Sequence, residues 1–153
     1  MTAGLATGFE SADDSPGLLL WRATNRWQAA QRAALKPFTL THVQFVLLTS
    51  LWWLADHEER PPTQARLAQH AGTDPMMTSQ VTRKLEARGV LERALDPADS
   101  RARRLHLTAA GRAVVAQALK DVEAADEDYF AALGRQRDAF VRALGTLEKS
   151  SSR

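Results

Sequence analysis

Apolar residues recur every three or four positions in the first part of the chain: Leu19, Ala23, Trp27, Ala30 and Ala34. This spacing places them on one side of a helix, and Pro37 predicts where that helix ends. From Val43 to Leu54 the sequence is apolar around most of a helical circumference. Because Thr41 suits the N-cap position, the pattern predicts a second helix at the centre of the fold.

Two short helices are predicted next. Thr63 can cap the first, which stops at Gly72. Asp74 suits the cap of the second, with Pro75 at its first helical position. The residues predicted to face inward from this second short helix are Thr78, Val81 and Leu85.

A hairpin and two further helices complete the pattern. Short strands are predicted at Val90–Leu95 and Arg103–Leu107, because apolar and polar residues alternate in the second. Thr108 can cap a long helix that Gly134 interrupts, and Phe140 lies in a last helix. Two short helices followed by a hairpin form a winged helix-turn-helix. The predicted fold is therefore mainly α, with a two-stranded wing.

Composition fits a globular domain and excludes several chemistries. Of the 153 residues, 44% are hydrophobic and 25% charged, and none is cysteine. Disulfides, thiolate zinc sites and iron-sulfur clusters are therefore excluded. The sequence also lacks a glycine-rich phosphate loop, a recognisable nucleophile with its base, and a His-x-x-x-His pair. We predict that the protein is not an enzyme and binds no metal or cofactor.

One stretch is long enough to raise the question of a membrane span. Residues 37–55 contain no Lys, Arg, Asp or Glu. Polar residues within it, such as Thr39, His42 and Gln44, would lack partners in hydrocarbon, so a buried helix is favoured. Residues 1–16 lack the basic start of a secretory signal. We therefore predict a cytoplasmic protein that does not span a membrane.

Positive charge is concentrated around the predicted hairpin. The whole chain has a formal net charge of +2, whereas residues 83–104 carry seven basic and four acidic side chains, a net +3. This distribution favours nucleic acid as a partner more than the total charge does.

Four segments resemble the MarR family of bacterial regulators in order and spacing. They are LTHVQFVLLTSL at Leu40–Leu51, ARLAQHAGTDP at Ala65–Pro75, VTRKLEARGVLER at Val81–Arg93 and DPADSRARRLHLTAAG at Asp96–Gly111. The most specific parts are the turn Leu85–Gly89 and the wing Asp96–Arg101.

The resemblance implies a sequence-specific transcriptional regulator. It would be a homodimeric repressor of pseudo-palindromic operators in double-stranded DNA, released by a small aromatic or phenolic effector. Residues 1–16 would form a flexible tail and 17–153 a single domain. Within that domain, 17–55 and 109–153 would supply the core and dimerisation helices, and 63–108 the winged helix-turn-helix. Two-fold symmetry would set the two recognition helices about one DNA turn, roughly 34 Å, apart.

The second short helix is predicted to carry the side chains that contact bases. Those pointing away from its inward face are Met76, Met77, Ser79, Gln80, Arg83 and Lys84. Gln can pair with adenine, Arg with guanine, and a Met methyl group can touch thymine. The family more often has short polar residues where Met76 and Met77 stand, which leaves open that one packs beneath the helix. The same set also suits a solvated polar face.

Further DNA contacts are predicted at the wing and at the first short helix. Arg101 lies near the wing tip with Arg103 just after it, and Asp99 is placed to pair with Arg101. The resemblance implies that this arginine enters the minor groove, whose negative potential rises as it narrows. A merely solvated wing is the alternative. Phosphate contacts are predicted for the residues that begin the first short helix: Thr63, Gln64 and Arg66. For Arg66, an ordinary surface arginine is the alternative.

The resemblance also implies an effector site between the dimerisation helices and the winged unit. Candidate side chains on the helices that would line it are Trp27, His42, Trp52 and Trp53. Aromatic residues at helical spacing suit a core or a dimer interface equally well.

A winged-helix protein-interaction adaptor without DNA binding is the alternative function. Such an interface would be expected to lose the set Arg83, Lys84, Arg101 and Arg103 and to expose apolar anchors instead. The arginine pattern therefore favours DNA.

Overall fold

The computed structural model describes residues 6–150, so the first five residues of the predicted tail (1–16) and the last residues, 151–153, lie outside the described part. The helices within it are α1 (Pro16–Leu35), α2 (His42–His57), α3 (Gln64–Ala71), α4 (Pro75–Ala87), α5 (Ala109–Phe130) and α6 (Arg137–Ser150). Strands β1 (Leu91–Leu95) and β2 (Arg103–Leu107) lie between α4 and α5. Short 3-10 turns occur at Ala12–Asp14, Lys36–Phe38 and Ala131–Gln136.

Local capping accounts for the starts of the middle helices. The Thr41 hydroxyl accepts a hydrogen bond from the backbone N–H of Gln44, whose side chain accepts one from the N–H of Thr41. This reciprocal capping box begins α2. The side chains of Thr63, Asp74 and Thr108 cap α3, α4 and α5 by accepting one backbone N–H bond each, without the reciprocal bond. The four predicted helix starts are confirmed.

Several predicted boundaries are wrong by a few residues. Ser15 caps α1, so Pro16 is the first residue of a helix and not part of the tail. The turn before it is joined to α1 by a 3.0 Å ion pair between Asp13 and Arg22. At the other end of the fold, α5 stops at Phe130, and the tightly wound residues that follow, Ala131–Gln136, are broken by a kink at Gly134, whose φ of 50° is not helical.

The hydrophobic core surrounds α2, as its all-round apolar pattern predicts. Its buried members include Leu47, Leu48, Leu51 and Leu54 from α2 with Leu67, Leu85, Leu91, Leu105 and Val115 from the surrounding elements. Burying each such side chain stabilises the fold by roughly 1.5–3 kcal/mol. The helix continues to His57, two residues beyond the predicted limit at residue 55. The winged unit is therefore built around α2.

The two strands pair antiparallel, with Leu91 opposite Leu107 and Leu95 opposite Arg103. A single bridge between Thr63 and Arg104 joins the start of α3 to the second strand. The hairpin is thus tied to the chain that enters the first short helix.

None of the helices in residues 6–150 is by itself long and apolar enough to cross a bilayer. The segments Pro16–Phe38 and His42–His57 have the length and mean hydropathy of a membrane span only when taken together, and the chain bends by 77° between them.

Candidate nucleic-acid interface

Helix α4 is held in place by polar contacts on its inner face. The buried Thr78 hydroxyl lies 2.7 Å from that of Thr73 and donates to the carbonyl of Asp74 at 2.8 Å. The buried Thr82 hydroxyl donates to Oε1 of Gln64 at 2.9 Å. Buried hydroxyls need such partners. The Thr82–Gln64 bond fixes α4 against α3, and the Thr78 bonds hold α4 to the turn before it. Thr82 was not among the predicted inward residues, although its four-residue step from Thr78 is the signal for it.

The outer face of α4 is an open polar surface of the winged unit. Met76 is 72% exposed, and Gln80, Arg83 and Lys84 are exposed one and two turns further on. Neither Arg83 nor Lys84 has a carboxylate within salt-bridge distance anywhere in residues 6–150. Met77 and Ser79 lie at the sides of this face, and their side chains are less exposed than that of Met76. A row of unpaired cationic and amide groups is therefore available to a partner along one helix.

The three residues predicted at the start of α3 have different surroundings. The Thr63 hydroxyl accepts from the backbone N–H of Arg66 at 3.1 Å and so serves as the cap. Gln64 accepts from Thr82, which makes it a support for α4. The guanidinium of Arg66 binds the carboxylate of Glu58 at 2.8 Å. Arg66 thus already has an anionic partner within the chain.

The wing tip presents two arginines, but the predicted Asp99–Arg101 side-chain pair is wrong. Oδ1 of Asp99 accepts a hydrogen bond from the backbone N–H of Arg101 at 2.9 Å. An aspartate that bonds the backbone two residues on forms a local turn, which competes with pairing to a side chain. The guanidinium of Arg101 is left exposed, and that of Arg103 reaches only the carbonyl of Ser100, at 3.5 Å.

An ion pair that was not among the predicted contacts, and that is largely buried, anchors the base of the wing. Asp96 is only 8% exposed, and its Oδ2 lies 2.9 Å from Nη2 of Arg104. Arg104 also donates to the carbonyl of Pro61, and the backbone N–H of Leu105 donates to that of Pro62 at 3.0 Å. The signal available in the sequence was the hairpin itself, because pairing residue 95 with residue 103 brings Asp96 near Arg104.

The hydrogen bond from the backbone N–H of Ala98 and the Arg104 guanidinium together lower the pKa of Asp96. The carboxylate therefore stabilises the fold above the pKa of an unfolded aspartate, about 4, and this contribution is lost as the pH falls toward the folded value. We expect Asp96→Asn to destabilise the protein near neutral pH and to differ less from wild type as the pH drops below about 4. Urea unfolding between pH 7 and 3 measures this difference.

Asp99→Asn, which alters a carboxylate at the exposed wing tip, is the matched control for that series. An Asp96→Asn effect that stayed constant over the whole pH range would contradict the role of the ionised Asp96–Arg104 pair.

The four candidate effector residues do not line one cavity. Trp27 and His42 meet edge to face with ring centroids 5.0 Å apart. Trp52 lies beneath Arg112, and Trp53 stacks on His57 at 4.0 Å. The Trp52–Trp53 pair borders a groove of about 470 Å³ between α2 and α5, separate from the Trp27–His42 contact.

The Trp27–His42 contact adjoins a polar link between α1 and α5. Oδ1 of Asp126 accepts hydrogen bonds from Nε1 of Trp27 and Nε2 of Gln31, both at 2.7 Å. Burial lowers the pKa of His42, and the Asp126 carboxylate partly opposes that effect. Burial thus favours the neutral form of the imidazole. A pocket of about 320 Å³ beside it is lined by Arg32, among others, and reaches Thr73 in the turn between α3 and α4.

Comparisons with known proteins agree on one family. A sequence model described as the MarR family matches residues 40–102. Over 141 residues the chain is 44% identical to the HTH-type transcriptional regulator YdcH of Bacillus subtilis (strain 168), an alignment that covers 92% of this chain and 95% of that one.

Solved structures are similar over nearly the whole chain. The transcriptional repressor CouR, bound to a 23-mer DNA duplex, superimposes with a TM-score of 0.80 and 31% identity, covering 95% of this chain and 99% of that one. BpsR of Bordetella bronchiseptica, from a study of how 6-hydroxynicotinic acid regulates its DNA binding, gives a TM-score of 0.76 and 29% identity, with coverage of 86% and 97%.

Proposed function

The chain belongs to the MarR family of transcriptional regulators, and we propose that it is a homodimeric repressor of pseudo-palindromic operators that a small aromatic acid releases from DNA. The proposed protein binds DNA without catalysing a reaction, and it is located in the cytoplasm with the DNA that it binds. The observation that carries the proposal is the outer face of α4, where Arg83 and Lys84 have no acidic partner in the described chain.

Helix α4 is the element that enters the major groove. Arg83 suits a guanine and Gln80 an adenine, because each side chain can pair with two atoms of that base edge. Met76 is exposed enough to touch a thymine methyl group. Lys84 and Ser79 contact phosphates, which set the register of the helix and carry no sequence information. CouR, which has the same fold, was solved on a DNA duplex.

The wing and α3 supply the remaining contacts. Arg101 and Arg103 are exposed beside the tip of a hairpin whose base is fixed by Asp96 and Arg104, so they can reach the minor groove. At the start of α3, Thr63 offers a phosphate contact. Because Gln64 and Arg66 are engaged with Thr82 and Glu58, their part in DNA binding is mainly to support that helix.

A second copy of the chain covers the apolar surfaces outside the winged unit. Trp21 on α1 is 67% exposed, and Leu20 and Val141 are also open. None of the residues of α6 is buried, although its sequence is amphipathic. Exposed apolar faces of this kind mark interaction sites. A two-fold interface through α1 and α6 would place the two α4 helices about one DNA turn, roughly 34 Å, apart.

The pocket beside His42 is the site we assign to the effector. It lies between α1 and α2 and reaches the α3–α4 turn, so a ligand there would touch both the dimerisation helix and the winged unit. Arg32 supplies the positive charge for a carboxylate, and the ring of His42, which also lines the pocket, contacts that of Trp27. Trp52 and Trp53 border the other groove and form a secondary candidate site.

Selection of bound duplexes from a random DNA pool tests the proposal as a whole. We expect enrichment of a two-fold symmetric sequence whose half-sites are one helical turn apart, and loss of enrichment when 6-hydroxynicotinic acid or a related hydroxylated aromatic acid is present. Unenriched pools would contradict DNA recognition, and enrichment unaffected by a panel of such acids would contradict the effector assignment.

The same selection measures the role of Arg83. We expect Arg83→Ala to relax the preference at one base position in each half-site, with a loss of discrimination of about 1–3 kcal/mol at that position. Lys84→Ala is the matched control, because removal of a phosphate contact weakens binding to all sequences about equally. A sequence profile that Arg83→Ala left unchanged would remove this side chain from base recognition.

A further inference from the structure

Arg88, at the end of α4, makes two hydrogen bonds to a distant part of the chain. Its Nη1 donates to the carbonyl oxygen of Thr39 and its Nη2 to that of Phe38, each at 2.6 Å. Both carbonyls belong to the bend between α1 and α2, defined here as residues 36–41, which we call the elbow. The guanidinium thus joins the recognition helix to the point where the dimerisation helix ends.

The elbow offers acceptors that suit a cation. Phe38 ends the 3-10 turn that continues α1, and Thr39 follows it with a φ of 53°, in the left-handed region. Carbonyl groups at the end of a helix carry partial negative charge and lack partners within the helix. A guanidinium is planar and can donate to two neighbouring oxygens at once, which a lysine ammonium cannot do with the same fixed geometry.

Arg88 is rigidly attached at its own end. It is the C-cap of α4, and its backbone N–H donates to the carbonyl of Lys84 at 3.0 Å. The other polar side-chain contacts from α4 to neighbouring segments stay within the winged unit: Thr78 with Thr73 in the turn, Thr82 with Gln64 on α3, and Glu86 with Arg93 on β1. Among the side-chain hydrogen bonds of residues 6–150, those of Arg88 are the ones that connect α4 to the elbow.

We infer that Arg88 is a positioning residue, which sets the direction of α4 relative to α1 and thereby the spacing of the two recognition helices. Helix α1 is fixed to α5 through Gln31 and Asp126, seven residues before Phe38. Two polar links therefore hold α1: one to α5 through Gln31, and one from the elbow that follows it to the end of α4 through Arg88. The consequence for DNA rests on the proposed function, but the positioning itself does not.

The positioning is tested first without DNA. The chain has no cysteine, so spin labels can be placed at Asn25→Cys on α1 and Met76→Cys on α4, both exposed positions. Doubly labelled chains diluted with unlabelled protein report the distance within one chain. We expect a single narrow distance distribution with Arg88 and a broader or shifted one with Arg88→Ala. An unchanged distribution would overturn the inference, whether or not the protein binds an operator.

Operator spacing provides the functional readout. Affinity is measured for the selected operator and for the same duplex with one base pair inserted between its half-sites. We expect Arg88→Ala to reduce the preference for the correct spacing by about fivefold or more, the size of a modest coupling between sites. The slope of affinity against salt should stay the same, because the residue contacts no phosphate.

Two further variants separate positioning from general loss of structure. Arg93→Ala removes the Arg93–Glu86 contact, which also holds α4, and should keep the spacing preference. Arg88→Lys keeps the positive charge but loses the planar guanidinium that donates to two oxygens at once. This variant should lose part of the spacing preference, and it is the one measured if the alanine protein does not fold. If both Arg88 variants kept the spacing preference, Arg88 would have no positioning role. If the salt slope fell by about one, Arg88 would be a phosphate contact. Either result would overturn the inference.

Discussion

Substitution of Gly111 by alanine is expected to destabilise the fold by about 3 kcal/mol or more, because no room exists for a side chain there. A Cβ atom on Gly111 would overlap the backbone carbonyl oxygen of Val90 and lie 2.9 Å from its carbonyl carbon. The obstacle is backbone, which cannot rotate aside as a flexible side chain does. The start of α5 would have to move away from Val90, the residue that leads into β1.

That contact is part of the joint between the wing and α5. The Thr108 hydroxyl donates to the carbonyl of Gly89 at 2.7 Å and accepts from the N–H of Gly111 at 3.0 Å, while the N–H of Thr108 donates to Val90. A shift of α5 would weaken all three bonds. Urea unfolding of wild type and Gly111→Ala measures the loss.

Gly17→Ala is the matched control for this prediction. Gly17 lies in the first turn of α1, and a Cβ there would meet nothing within 4 Å. Alanine is the better helix former, so this variant should be as stable as wild type or slightly more stable, by up to about 1 kcal/mol. If Gly111→Ala behaved like Gly17→Ala, the close packing of α5 on β1 would be refuted.

Replacement of Arg101 by alanine is expected to weaken operator binding about tenfold or more and to lower the salt slope by about one. The guanidinium of Arg101 is exposed at the wing tip. Because Asp99 bonds the backbone of Arg101, it does not neutralise the charge of that guanidinium. A narrow minor groove attracts such a cation strongly. Titration of the selected operator at several salt concentrations gives both quantities.

Arg101→Lys distinguishes charge from shape at the same position. Lysine keeps the positive charge, so the salt slope should stay close to that of wild type while part of the affinity is lost. Equal affinities of wild type and Arg101→Ala at every salt concentration would mean that the wing does not contact DNA.

The helix starts and the hairpin were predictable because their causes are local. Thr41, Thr63, Asp74 and Thr108 each cap a helix through atoms two or three residues away, so sequence spacing is sufficient. The apolar circumference of α2 likewise requires burial on all sides. The fold class and the outward set on α4 follow from these local rules.

The contacts that decide which side chains are free could not be predicted in the same way. Trp27 and Asp126 are 99 residues apart, and Arg88 lies 49 residues from Thr39. Such partners become neighbours only after the helices pack. The same holds for Arg66, whose ion pair with Glu58 requires the turn between α2 and α3 to be known. The sequence pattern placed each arginine on an element, but it did not show which arginines form ion pairs or hydrogen bonds within the folded chain.

The most direct test of the account is a competition between the selected operator and a shuffled duplex of the same composition, with the mass of the complex measured in the same experiment. The account predicts two chains on one duplex and a preference of at least about 10³-fold for the operator at physiological salt. A single chain on the duplex, or equal affinity for the two sequences, would contradict recognition of an operator by paired winged units.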